Sequence, residues 1–201
     1  MAPTLVNTPT LVRFFFAIAL GSTLVAALNT APKSLLGRRA AADNTVSVSS
    51  ETANCLVVPL NAHTNIGDSE YPGGMTVYCT ASARTDASQG LLPDGFWTKP
   101  TAVDGTGVNG AAYRQITGCI NPSTLDRLNP SDKGGQYDSS GGQGGQGNPQ
   151  GSACTGYNHY IELIEPAGNR ACIRCCQDPA DCPVTSDTAG CPNVIPADYT
   201  C

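Results

Sequence analysis

Basic charge, histidine, aromatic rings and large aliphatic side chains are all scarce in this chain. Of its 201 residues 6% are aromatic and 13% charged, with two histidines and one tryptophan. After Ala40 only seven residues are Lys or Arg, whereas all sixteen carboxylates fall there, for a net charge of −9. So acidic a body repels nucleic acid and anionic lipid, and no basic patch offsets it. The histidines, His63 and His159, lack the spacing of a zinc site, so no metal or other cofactor is expected. Neither a G-x-S-x-G nor an H-E-x-x-H motif is present. From Ala40 to Cys201, Leu, Ile, Val and Phe supply 24 of 162 residues. A share below about 20% is thin for a self-supporting core.

Cysteine is absent from the first 54 residues and abundant afterwards: Cys55, Cys79, Cys119, Cys154, Cys172, Cys175, Cys176, Cys182, Cys191 and Cys201. Ten half-cystines can form five bridges, each contributing about 2–4 kcal/mol by restricting the unfolded chain. That offsets a thin core in an oxidising compartment. Roughly 900 pairings are open to ten cysteines. The adjacent Cys175 and Cys176 are expected to take different partners, because a vicinal bridge strains the backbone. The spacing Cys172-x-x-Cys175 does not open a helix and is read as structural, at a strand end, rather than as redox or zinc chemistry.

The front of the chain is built for export. Arg13 precedes the apolar heart Phe14–Leu20, and Val25 and Ala27 are small enough for a signal-peptidase site, so residues 1–27 are read as a cleaved signal. A membrane anchor is the rival; it needs about 20 apolar residues, and this run is shorter and holds Gly21, Ser22 and Thr23. Residues 28–54 read as a propeptide or flexible linker, with a dibasic cut possible after Arg39. No membrane span is expected once the signal is gone. The Ser/Thr cluster Thr45–Thr52 could carry O-linked sugar; both Asn-x-Ser sites have proline in the middle and are not acceptors for N-linked sugar.

Residues 55–201 read as strands cut by Gly and Pro. β-formers gather at Leu56–Leu60, Met75–Thr80 and Tyr113–Ile120. Tyr157–Ile164 is the best strand, with Tyr157, His159, Ile161 and Leu163 on one face. A short helix is expected at Ser123–Leu128, capped by Ser123 with Asp126 behind it, and a single turn at Asp178–Cys182. Residues 134–151 contain eight glycines and are expected to form a long exposed loop, with Tyr137 and Asp138 as its fixed points. The expected fold is mainly β: one disulfide-stapled β-sandwich or irregular small barrel with one or two short helices.

Candidate chemistry is sparse. Glu162 and Glu165 lie three apart on a strand and so point to opposite faces, a poor start for a paired-carboxylate glycosidase. His159 reads as a half-buried, hydrogen-bonded side chain. Trp97 beside Phe96 reads as a core anchor or as a sugar-stacking platform. Trp97, Tyr137 and Asp138 are therefore the candidate ligand-binding residues, and no catalytic residue is expected.

Several segments in order resemble a known family. They are Val77-Tyr78-Cys79-Thr80, Leu92-Pro93-Asp94-Gly95, Tyr113–Gly118, Asp132–Asp138 leading into Gly147–Gly151, and Gly190–Tyr199. Together they look like the basidiomycete secreted proteins labelled macrophage-activating glycoproteins, over residues 75–201. The resemblance implies a secreted or wall-associated fungal protein and carries no catalytic residues across. The expected function is thus a secreted, non-enzymatic, cysteine-rich fungal cell-surface or extracellular protein that meets a host. The alternative is a protein that binds or degrades cell-wall polysaccharide. A wall glycan and a host surface protein are the corresponding partners.

Overall fold

The computed structural model describes residues 41–141 and 147–201. The signal, its cleavage site and the dibasic site fall in residues 1–40, outside the described residues, as do residues 142–146 of the Gly-rich segment.

Ten strands form two five-stranded sheets. Thr45–Ser50 (β1), Ala53–Pro59 (β2), Met75–Cys79 (β3), Gly90–Leu91 (β4) and Ala153–Cys154 (β8) make the first, in the order β4-β3-β2-β1-β8. Trp97–Thr106 (β5), Ala112–Ile120 (β6), Gly135–Asp138 (β7), His159–Glu165 (β9) and Arg170–Cys176 (β10) make the second, in the order β5-β6-β10-β9-β7. Neither sheet closes on itself, so the expected mainly-β architecture takes its sandwich form. Among the described residues the one α-helical turn is Cys191–Val194 (α1).

Strand alternation decides what each sheet buries. Val46, Leu56 and Val58 of the first sheet meet Ile116, Tyr160 and Ile173 of the second in the main core. The second sheet is buried on its other face too. There Ile161, Leu163, Cys172 and Cys176 pack beneath Cys191, Val194 and Ile195 of the C-terminal segment. This explains the Cys175-Cys176 doublet. Neighbours on a strand face opposite ways, so Cys175 points into the main core and bonds Cys154. Cys176 points outward and bonds Cys182. Cys172–Cys191 and Cys119–Cys201 clip the rest of the C-terminal segment to the same outer face, and Cys55–Cys79 joins directly paired residues of β2 and β3. All ten cysteines are therefore in disulfides.

The structure corrects three readings. Residues 45–50 are strand β1, not flexible linker: Val46 and Val48 are buried while Thr45, Ser47 and Ser49 face away from the core. The Ser123–Leu128 helix is a single 3-10 turn at Pro122–Thr124, and its cap is Asn121, whose side chain accepts from Ser123 N–H. The Gly-rich segment does not begin as exposed loop, because Gly135–Asp138 is a strand with Gln136, Tyr137 and Asp138 buried. Cys172 and Cys175 lie in β10, which ends at Cys176, in keeping with the strand end expected there. The turn at Pro179–Asp181 stands where it was expected, capped by Asp178.

Candidate binding surface on the first sheet

The buried acids hold the framework together. Glu162 projects from β9 into the main core, where its Oε2 accepts from Val57 N–H at 3.1 Å. That donor becomes free because β1, after pairing with β2 as far as Ser47↔Cys55, turns to pair with β8 at Thr45 and Val46. Full burial, opposed only by the Val57 N–H, pushes the Glu162 carboxyl well above its ordinary range. Its second oxygen has no hydrogen-bond partner among the described residues, so nothing else there offsets the cost of a buried charge. Asp138 accepts from Ser140 N–H at 2.7 Å and from Gly141 N–H, and from Gln136 Nε2 at 3.1 Å. Asp132 accepts from Ile66 N–H, Asp181 from Val108 N–H, and Glu165 from both Arg170 and Cys191 N–H.

The candidate ligand residues are not brought together. Tyr137 is fully buried, its hydroxyl 2.7 Å from Ser69 Oγ, and burial pushes its phenol well up. Asp138 is buried and serves as the knot of the Gly-rich segment. Both act as the fixed points the sequence suggested, by holding a turn rather than by facing solvent. His159 is half-buried, with Nδ1 3.3 Å from Ser140 Oγ. Glu162 and Glu165 do lie on opposite faces of β9, in the two separate cores' surroundings.

Trp97 is different. It is half-buried at the start of β5, stands edge-on to the buried Phe96, and packs on the main core. Its indole N–H donates to Asn54 Oδ1 at 3.0 Å. With its one polar atom turned to a buried partner, what the ring adds to its surroundings is carbon surface. It lines a cleft of about 440 Å³ with Leu91, Pro93, Asp94, Glu51 and Thr52. Leu91 is 50% exposed there.

Beside the cleft runs a larger open trough of about 930 Å³. One side is β1, whose outward hydroxyls Thr45, Ser47 and Ser49 alternate with the buried valines. The opposite wall is the segment Ser82–Gln89, and the floor is made of small residues such as Ala53, Ala83 and Gly156. The wall is bonded to itself. Gln89 is buried and its Oε1 accepts from Thr85 and Asp86 N–H, while Nε2 donates to Ala42 O. Arg84 donates to the Gln89 and Ala87 carbonyls. The Ser88 N–H holds the exposed Asp86 carboxyl below its usual range.

Sequence reasoning singled out Trp97 but read the Ser/Thr cluster Thr45–Thr52 as linker that could carry O-linked sugar, not as the outward face of a strand. Its signal was present, since Thr-Val-Ser-Val-Ser alternates with period two. Among the described residues no group of three or more His, Cys, Asp or Glu could hold a metal ion. The chain matches no family model, no curated protein and no solved structure.

Proposed function

We propose that this chain is a secreted, non-enzymatic, cysteine-rich protein of the extracellular space or cell wall that works by binding. The observation that carries the reading is the use made of its carboxylates. Glu162, Asp138, Asp132, Asp181 and Glu165 are each spent on backbone N–H groups that hold strands and turns in place. An acid or base for catalysis must instead be free to meet a substrate. Five disulfides support an oxidising destination. Among the described residues no helix is long and apolar enough to cross a membrane. A wall glycan or a host surface protein is the partner on this reading.

Mass measurement of the protein recovered from the medium tests it, with and without reduction under thiol labelling. The expected product lacks residues 1–27 and gains ten labels only after reduction. Retention of those residues, or labelling before reduction, overturns secretion in the disulfide form. Turnover of polysaccharide or peptide by the purified protein overturns the non-enzymatic half.

A second reading, binding or degradation of wall polysaccharide, is favoured by the half-buried Trp97 in an open cleft. A glycan pull-down lost in Trp97→Ala, with the fold intact, selects it.

A further inference from the structure

We infer that the β1 trough and the Trp97 cleft are one continuous site for a neutral, unbranched polysaccharide chain. The inference rests on the binding reading above and specifies the class of ligand and its path.

Continuity is the first support. Ser82 lines both spaces, and the β1–β2 hairpin and the segment after β3 run along both. Together the two exceed the roughly 300–1,000 Å³ of a pocket for one small molecule. An extended ligand with several repeating units suits such a shape.

The shape is also built in advance. The wall is fixed by Gln89 and Arg84, and Cys55–Cys79 anchors its base, with Cys55 beneath Ala83. A ligand therefore need not organise this wall, which lowers the cost of binding.

The chemistry selects the class. Among the described residues neither space is lined by Lys or Arg, because Arg84 is drawn back onto its own loop's carbonyls. Glu51, Asp86 and Asp94 supply the charges instead. Phosphate, sulfate and uronate polymers are thereby disfavoured. A peptide has little to hold. β1 is an inner strand, paired with β2 on one side and with β8 at Thr45 and Val46 on the other, so only the short stretch Ser47–Ser50 is left for strand addition, and the trough floor is too small-sided for apolar anchor pockets. Sugar hydroxyls match the Thr45–Ser49 row, Thr85 and the carboxylates, while the C–H face of a ring matches Trp97 and Leu91.

The test is titration of the secreted protein with neutral β-linked gluco- and chito-oligosaccharides of increasing length. Polygalacturonate and a lysine-rich peptide are the charged controls. Two surface variants probe the two ends: Leu91→Asp at the cleft and Ser47→Arg in the trough, each checked for an unchanged urea midpoint. Affinity is expected to rise with length beyond about three sugars for at least one neutral series. Leu91→Asp should weaken binding of every length at least tenfold. Ser47→Arg should weaken the long oligosaccharides tenfold and spare the short ones. Neutral binding that ignores Ser47→Arg overturns the continuous path but leaves polysaccharide binding standing. Neutral binding that ignores both variants overturns this site and likewise leaves that reading standing. Preference for polygalacturonate or the lysine-rich peptide overturns the ligand class. No binding to any neutral series overturns the inference, while the mass measurement still decides secretion on its own.

Discussion

Glu162 is the residue whose environment departs furthest from water. It is fully buried on β9 and bonds a backbone N–H that β1 left unpaired. The aromatic groups beside it, Tyr137 and Tyr160, are also buried and have their phenols pushed well up, by burial first. Their hydroxyls go to Ser69 and Ser152, so they do not satisfy the second carboxyl oxygen. A carboxyl raised in the folded state keeps its proton longer than in the unfolded chain. The folded protein then binds more protons, and stability falls as pH rises from near the ordinary glutamate value of 4.5. The lowered acids Asp86, Asp126, Asp178 and Asp198 act in the opposite sense, losing stability as pH falls below their ordinary 3.8. Glu162→Gln keeps the shape and an acceptor for Val57 N–H but cannot ionise. Urea unfolding from pH 4 to pH 8 should therefore show a steeper decline in the wild type than in the variant, where only Glu70, also raised by burial, still acts in that sense. Parallel curves would mean Glu162 does not titrate differently on folding. Glu162→Leu, which strands the N–H, should cost about 1–3 kcal/mol at pH 4, and the cost should shrink as pH rises and the wild type loses stability.

Among the elements, β9 was the most legible, because its β-formers alternate over Tyr157–Ile164, and β10 was legible through its cysteines. The doublet Cys175-Cys176 already required two partners, and two-residue alternation then put one on each face of the sheet. The misread elements have physical reasons. β1 is rich in Ser and Thr, so its composition resembles a linker, although Val46 and Val48 carry the period of a half-buried strand. β5 was not foreseen because Pro100 and Gly105 interrupt it. An edge strand tolerates both, and this one adds a register shift between Trp97 and Lys99. Glu51 Oε1 further covers this edge by accepting from Ala102 N–H at 3.3 Å. The Gly-rich segment was read by composition alone, yet Tyr137 and Gln136 supply enough burial to make its start a strand. The trough could not be read at all, because it needs the loop after β3 beside β1, more than 30 residues away in sequence. At this scale the bridges should differ in worth. Cys119–Cys201 closes 82 residues and Cys176–Cys182 only 6. Chain entropy predicts losses of about 4–5 and about 2 kcal/mol when each pair is changed to Ala. Urea midpoints in the reverse order would mean native-state packing, not loop closure, sets their value.

The described residues form a two-sheet sandwich with an added strap. A thin aliphatic content still gives a buried interior because the second sheet is used twice, against the first sheet on one face and against residues 177–201 on the other. The strap has few large side chains of its own: Val194, Ile195 and the ring of Tyr199 do most of the covering. Its hold is therefore largely covalent, through Cys119–Cys201, Cys172–Cys191 and Cys176–Cys182, helped by Glu165 accepting from Cys191 N–H. The main core instead has its own hydrophobic cluster and the inter-sheet bridge Cys154–Cys175. The two layers should come apart separately. A variant with the three strap bridges changed to Ala should expose Ile161 and Leu163 and bind a hydrophobic dye such as ANS. Its far-UV spectrum should stay that of a β protein, and Cys154–Cys175 should remain closed. Changing Cys154 and Cys175 to Ala instead should leave the strap protected and lower the main unfolding midpoint, by about 3 kcal/mol for a loop of this length. The layered account is lost if the strap variant stays silent to the dye. It is also lost if that variant unfolds entirely, because the first sheet would then depend on the strap it does not touch through any disulfide.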